Sequence, residues 1–339
     1  MAMKRKKNRV RVTSHNVAEL AGVSRSAVSR TFTPNASVSS KTKEKVIIAA
    51  NKLGYRPNVM ARSLITKKTQ LIGLVMADWN NPFYASTLKS YSEKLQKENY
   101  QTILATINNN SDIDTSIEFL LQYQVDGIIM LSALPSSDVV DACNQKDTPI
   151  VLVGNSSKSI NTCTVNIDHN AIGKNLANLA IELGYRRFVL IRGDKNIKSG
   201  IQRTEAFRKV LEKENKGEIL ANLTGILGHD EGRNALADII KIKPEIIICS
   251  SDLTALGIID GARVDYNLEV PKDIAVIGFG NNPISSWGMN RLTTVQLPHE
   301  KLIDESIGCL LRRIDDPELP PKNIDLQSVV ITRDTTRQI

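Results

Sequence analysis

From Gln70 onward, short unbroken apolar runs alternate with stretches whose apolar residues recur every three or four positions. The runs are Ile72 to Met76, Thr102 to Ala105, Gly127 to Leu131, Ile150 to Val153, Phe188 to Ile191, Ile246 to Cys249 and Ile274 to Gly278. A strand that is apolar at every position is buried on both faces, as in a parallel sheet covered by helices. Between the runs, Leu88, Tyr91 and Leu95, then Ile117, Leu120 and Leu121, keep helical spacing. The alternation predicts an α/β body. Roughly eight such units exceed one small sheet, so two Rossmann-like parallel-sheet subdomains are expected to face each other across a cleft.

The first 57 residues follow another pattern. Val17, Leu20 and Ala21 form one apolar stripe, on a helix that Thr13 or Ser14 can cap and Gly22 can end. Ser24 is placed to cap a second helix. At about 100° per residue, Arg25, Ser26, Ser29 and Arg30 fall on one arc of it and Ala27, Val28, Thr31 and Phe32 on the other. A third helix opens at Val38-Ser39-Ser40, turns Val46, Ala50 and Leu53 inward, and closes at Gly54-Tyr55 before Pro57. This is what a helix-turn-helix needs, because its recognition helix presents N-terminal side chains to base edges in the major groove. Arg25 and Ser26 occupy that first turn, and Arg30, one turn on, reaches a guanine or a phosphate. Ser24, Ser29 and Ser39 have short hydroxyls suited to phosphate contacts.

Charge sharpens the division. Sixteen of the 44 Lys and Arg residues lie in positions 1–68, opposed only by Glu19 and Glu44, so this stretch carries +14 while the rest carries −6. A small basic module on an acidic body is built to meet phosphate. No apolar run approaches the ~18–20 residues of a membrane span, and the start has no hydrophobic stretch after its positive charges, so a cytoplasmic protein without membrane contact is expected. Cys143, Cys163, Cys249 and Cys309 form no CxxC pair and read as reduced, buried thiols.

Asn16-Val17-Ala18, Ala21-Gly22-Val23-Ser24, Val28-Ser29-Arg30, Leu53-Gly54-Tyr55-Arg56-Pro57-Asn58, Ala61-Arg62-Ser63-Leu64, Ile72-Gly73-Leu74 and Asn81-Pro82-Phe83 together resemble the lactose-repressor and galactose-repressor family of bacterial transcription regulators. The resemblance is strong from Val12 to Tyr84 and continues more weakly to the C-terminus. It implies a helix-turn-helix head over 12–57 after a basic tail (1–11), a hinge over 58–68, and an effector-binding and dimerisation body over 69–339 with the type I periplasmic-binding-protein fold. Lobe 1 is then about 69–168 and 298–327, and lobe 2 about 169–297 and 328–339. It further implies that the hinge folds on operator DNA and enters the minor groove through Asn58, Ala61, Arg62 and Leu64, with Leu64 as the wedge. Two departures are Thr33, where the family usually has Asn, and the longer, more basic tail.

In parallel sheets ligands collect at the carboxyl ends of strands. Those ends here are polar: Asp78, Asn80-Asn81, Asn108-Asn109-Asn110, Ser132, Asn155, Arg192, Asp194, Ser250-Ser251-Asp252 and Asn281-Asn282. The resemblance points to Arg203 as a bidentate effector anchor, to Ser251 and Asp252 near the pocket, and to Asn81 and Phe83 at the first-strand loop. Where the family usually reads Gly-Phe-Asp-Asp, this chain reads Gly278-Phe279-Gly280-Asn281. Losing that carboxylate favours an anionic effector, a sugar acid or sugar phosphate; alternatively Asn281 or Asn282 replaces the contact and the ligand is a neutral sugar.

There is no GxxxxGK[ST] loop, no GxSxG elbow and no HExxH, and Gly278-x-Gly280 lacks the third glycine of a dinucleotide fingerprint, so neither catalysis nor a cofactor or metal is expected. The expected function is a homodimeric transcription repressor, bound to near-palindromic operator DNA and switched by a small carbohydrate-like effector. Two rivals stay open: a regulator answering to a protein co-effector, and a solute-binding protein with an incidental basic head.

Overall fold

Two donors of Thr13 set the start of the first helix: its backbone N–H and its hydroxyl donate to Asn16 Oδ1 at 3.0 and 2.9 Å. The computed structural model describes residues 12–33, 36–56, 68–77, 82–107, 112–131, 134–154, 162–193 and 198–338. The chain separates into two units at Thr69 and Gln70.

The first unit holds α1 (Ser14–Ala21), α2 (Arg25–Thr31) and α3 (Ser40–Leu53). Gly22 and Gly54 end α1 and α3 in the left-handed region, at φ 63° and 65°. Val17, Ala18, Ala21, Val28, Val46, Ala49 and Ala50 make the core, edged by Phe32, Leu53 and Tyr55. Leu20, expected inside, is 46% exposed. At about 100° per residue Val17, Ala18 and Ala21 span one arc and Leu20 falls to its side, so the small Ala18 takes its place and α1 can lie close to the alanines of α3.

The second unit contains β1 (Leu71–Ala77), α4 (Pro82–Lys97), β2 (Gln101–Ile107), α5 (Ile113–Gln122), β3 (Gly127–Leu131), α6 (Ser137–Gln145), β4 (Ile150–Val153) and β5 (Cys163–Ile167). Then come α7 (His169–Glu182), β6 (Arg187–Ile191), α8 (Lys198–Glu214), β7 (Glu218–Leu223), α9 (His229–Ile239), β8 (Ile246–Cys249), α10 (Asp252–Asp260), β9 (Ala275–Gly280) and β10 (Thr293–Gln296). The unit closes with α11 (His299–Asp315), β11 (Asn323–Leu326) and β12 (Val329–Ile331). Two six-stranded sheets result, ordered β11-β5-β4-β3-β1-β2 in lobe 1 and β12-β10-β9-β8-β6-β7 in lobe 2. Central strands β3, β4 and β8 are buried throughout, and the helices on either face supply one core per face, four in all among the described residues. Among the described residues no helix is long and apolar enough to cross a membrane.

Pairing is parallel in both sheets except between β10 and β12. The exception follows from chain direction. The chain passes between sheets after β5, after β10 and after β11, so β10 runs toward a crossing while β12 runs away from one. Register sets these crossings side by side, with Ile167 opposite Leu326 and Gln296 opposite Val329. Asp168 fastens two of them. Its Oδ1 accepts from Ala171 N–H at 2.9 Å, capping α7, its Oδ2 accepts from Gln327 Nε2 at 3.3 Å, and its own N–H donates to the Leu326 carbonyl at 3.0 Å. The Ala171 N–H beside it, with Gln327 and Asn170, holds the Asp168 carboxyl below its ordinary range.

Candidate DNA-reading surface and ligand site

On α2 the side that does not pack against α1 and α3 carries the polar chemistry. Arg25, Ser26, Ser29 and Arg30 are exposed, Val28 is 1% exposed, and Ala27, Thr31 and Phe32 lie half-buried behind. Neither Arg25 nor Arg30 is paired with a carboxylate among the described residues. The hydroxyls divide differently. Ser24 Oγ accepts from Ala27 N–H at 3.2 Å and lies 2.8 Å from Ser26 Oγ, while Ser39 Oγ accepts from Thr42 N–H at 3.2 Å and donates to Thr42 Oγ1 at 2.8 Å. Ser24 and Ser39 thus serve first as helix caps, a role generally worth about 1 kcal/mol. Ser29 has no such duty. Two guanidiniums on one exposed turn, with the short Ser26 and Ser29 between them, make a surface that can enter a groove and donate to acceptors.

In lobe 2, a cavity with about 370 Å³ of empty space, its open mouth included, sits at the carboxyl ends of β6, β8 and β9. Arg192 follows β6, Ser250 follows β8, Phe279 ends β9, and α8 brings Arg203 and Thr204 from the side. Two glycines allow this approach. A Cβ at Gly173 would collide with the Arg203 carbonyl oxygen, and one at Gly200 would stand 2.7 Å from the Arg192 carbonyl oxygen, so α7, α8 and the end of β6 close on one another only without side chains there.

The Arg203 guanidinium lies over the Phe279 ring, 3.8 Å from its centroid, and its in-plane N–H donors have no hydrogen-bond partner among the described residues. Burial pushes its pKa down to about 10, so it stays charged. His169, at the start of α7, has its ring 6.3 Å from Phe279 and a buried Nδ1 without a partner among the described residues. Burial, helped by the Arg203 charge, pushes His169 down to about 3 and keeps it neutral. Arg192 Nε is likewise buried and unpartnered among the described residues. The described lining contains two arginines and no Asp or Glu. Cationic donors on a partly dry cavity lining that carries no described carboxylate favour an anion.

Residues 13–58 match the model described as bacterial regulatory proteins, lacI family, and residues 176–336 match that of the periplasmic binding protein-like domain. Catabolite control protein A of Staphylococcus aureus is 30% identical over 329 residues, covering 96% of this chain and 99% of that protein. The chain belongs to the lacI family. It is a DNA-binding transcription regulator. A lac repressor dimer bound to operator and the anti-inducer ONPF shares its fold, with a TM-score of 0.86 at 23% identity over 96% of this chain and 99% of that one. The transcriptional regulator CelR in complex with cellobiose gives 0.70 at 26% identity, over 96% and 100%.

Within this lacI-family chain the expected effector residues part ways. Arg203 lines the cavity; Asp252 does not reach it. The Asp252 side chain is 0% exposed and spent, Oδ1 accepting from the Thr294 hydroxyl at 2.5 Å and Oδ2 from Asn282 N–H at 2.6 Å. It holds the loop after β9. Ser251 caps α10, accepting from Thr254 N–H at 3.2 Å, and Asn281 Oδ1 accepts from Arg333 Nη2 at 2.8 Å, tying that loop to the C-terminal segment. Phe83 falls in the first turn of α4, while Asn81 and the hinge residues Asn58, Ala61, Arg62 and Leu64 lie outside the described residues. Gly280 has φ +126°, and a Cβ there would lie 3.6 Å from Asp252 Oδ2. A side chain at 280 would lie between Asn282 Nδ2, at 3.5 Å, and Asp252, and Gly280 is not on the described cavity lining, so the case for an anion passes from Gly280 to the arginines.

Sequence reasoning missed His169 and Phe279 as site residues. Phe279 stood inside the quoted Gly-Phe motif, and His169 follows the crossing at Asp168, but neither carries a spacing signal. His169 has a pH consequence. Its folded pKa lies below its unfolded value near 6.5, so the unfolded chain binds the extra proton between about pH 6.5 and 3 and stability falls as pH drops through that window. Replacing it by Gln should remove part of this loss, so that urea midpoints at pH 7 and pH 5 differ less in His169→Gln than in the wild type. His299, lowered by burial in the same direction, keeps part of the slope in both proteins.

Proposed function

We propose that this lacI-family regulator is a homodimeric repressor whose hold on a near-palindromic operator is switched by a small, anionic, sugar-like effector bound at Arg203 and Arg192. The observation that carries the effector reading is the pair of guanidiniums with no carboxylate on the described cavity lining. That the related CelR is a cellobiose complex supports a sugar scaffold. Exposed Arg25, Ser26 and Arg30 read bases, and Ser29 donates its hydroxyl to phosphate, joined by the capping Ser24 and Ser39 when their hydroxyl protons turn from their neighbours to the DNA. The hinge residues Asn58, Ala61, Arg62 and Leu64 enter the minor groove, Leu64 as wedge, once two copies lie side by side on the operator. Effector binding closes the two lobes and alters the spacing of the hinges, so that operator and effector change each other's affinity by the same factor, typically ~5- to 150-fold.

A second copy is supported by an apolar patch on lobe 2. Val264, Trp287 and Met289 are 71%, 61% and 82% exposed, and Arg263 Nη1 joins their two segments by donating to the Met289 carbonyl at 2.8 Å. A contiguous apolar patch is what subunit association covers. Met289→Asp should therefore shift sedimentation from dimer to monomer; a mutant dimer as tight as the wild type would place the interface elsewhere.

Sites selected from random DNA supply the test of the head. Arg25→Ala should cost about 1–3 kcal/mol on the best site, relax preference at one base pair, leave random DNA nearly unaffected and raise expression of a reporter under that site. Equal losses on selected and random DNA would reassign Arg25 to phosphate.

The effector test uses calorimetric titration with hexose phosphates, aldonic acids and their neutral parents. Arg203→Ala should leave operator binding intact and cost about 1.5–3 kcal/mol in affinity for the anionic compound that binds the wild type. Release of operator by a partner protein, with no anion bound, would favour the protein co-effector instead.

A further inference from the structure

Cys163 opens β5 and Cys309 lies on α11, 146 residues later, yet both belong to the same core of lobe 1 and are 2% and 1% exposed. α11 packs directly on β5 in that core, which brings the two thiols close enough to act on one another. The pair lies close beneath the surface: the exposed Lys322 donates its N–H to Cys163 Sγ at 3.3 Å, and Arg312 Nη2 donates to Cys309 Sγ at 3.4 Å. Beside them is a buried cation. Arg313 is 8% exposed, its Nε and Nη1 have no partner among the described residues, and its charge acts on Cys163. A buried guanidinium with open donors calls for an anion, and the Cys163 thiol is a group in its field that can become one.

We propose that Cys163 and Cys309 form an oxidation-sensitive dithiol that hydrogen peroxide converts to a disulfide. The Cys163 thiolate attacks a peroxide oxygen, the O–O bond breaks, and Cys163 becomes a sulfenic acid while the released hydroxide takes up a proton as water. The Cys309 sulfur then attacks Cys163 Sγ, the S–O bond breaks, and the second water leaves with the Cys309 proton. The two cysteines lose two electrons and the peroxide gains them. The neighbouring Cys309 thiol, then the Lys322 N–H and the charges of Arg313 and Arg312, hold the Cys163 thiol below its ordinary range, whereas burial pushes Cys143 up to about 11 and Cys249 higher still. The other two thiols are therefore internal controls. The new bond would staple α11, which follows the second crossing, to β5, which precedes the first.

The experiment treats the full chain with hydrogen peroxide under native conditions, alkylates it in denaturant and maps the peptides by mass. A Cys163–Cys309 linked pair, lighter by two hydrogens, should form while Cys143 and Cys249 are still alkylated as free thiols. Cys309→Ser should leave a sulfenic acid on Cys163 that dimedone captures, and Cys163→Ser should make Cys309 as slow as Cys143. Arg313→Gln should slow the linkage about tenfold or more, as expected when a thiolate loses its cation; if that variant does not fold, the order of reactivity among the four wild-type cysteines decides alone. Alkylation of all four cysteines after peroxide, or oxidation of Cys143 or Cys249 as fast as Cys163, would overturn the proposal.

Discussion

The body depends on three chain crossings lying side by side between two sheets. Ile167 opposite Leu326 and Gln296 opposite Val329 place the ends of β5, β11 and β10 and the start of β12 together, and Asp168 fastens the first crossing to the third. Each sheet closes its own cores, and among the described residues these backbone passages join the lobes. Packed cores resist continuous deformation, so relative motion of the lobes has to be absorbed at the few residues around 168, 297 and 327. The antiparallel β12 is the topological mark of the same constraint.

Within lobe 2 the arginine-lined cavity is a consequence of close packing. Gly173 and Gly200 remove side chains where α7 and the end of β6 meet α8, and this brings Arg203 over Phe279 and beside His169 and Arg192. The approach dries the site and holds the histidine neutral. A neutral imidazole next to a guanidinium can donate or accept a hydrogen bond without adding charge, so the cavity's electrostatic preference belongs to its two arginines.

The architecture was legible wherever burial is apolar and unbroken. Unbroken apolar runs located β1, β2, β3, β4, β6, β8 and β9, while β10 escaped because its buried Thr293 and Thr294 are not apolar, and the polar arc of α2 followed from helical period alone. β5, β7 and β11 escaped because Thr164 and Asn166, Glu218 and Asn222, and Asn323 and Asp325 interrupt their runs: β7 and β11 are sheet edges, and β5 pairs with one. Leu20 was misplaced because an apolar residue beside a stripe reads like one within it. Asp252 and Asn281 were read as ligand groups from a motif, but a motif does not say where a side chain's hydrogen bonds go. Both are used up inside the loop, a matter of contacts between residues far apart in the chain: Thr294 for Asp252 and Arg333 for Asn281.

The arginines of the body divide in a way that bears on function. Arg208, Arg233 and Arg291 are paired with Glu205 and Glu212, with Asp265 and with Asp334, all at partly exposed positions where water would solvate either charge and such pairs contribute little. Arg192 and Arg313 are the reverse, with buried nitrogens that have no partner among the described residues, at positions where solvation is poor. Arg203 lies between these cases, its cation resting on the Phe279 ring with its edges free. Folding alone gives no reason to bury guanidinium donors and leave them open, since an apolar side chain of similar volume usually serves stability as well or better. On the proposals made above, those open charges are placed for groups that come and go: a bound anion at Arg192 and Arg203, and a thiolate at Arg313.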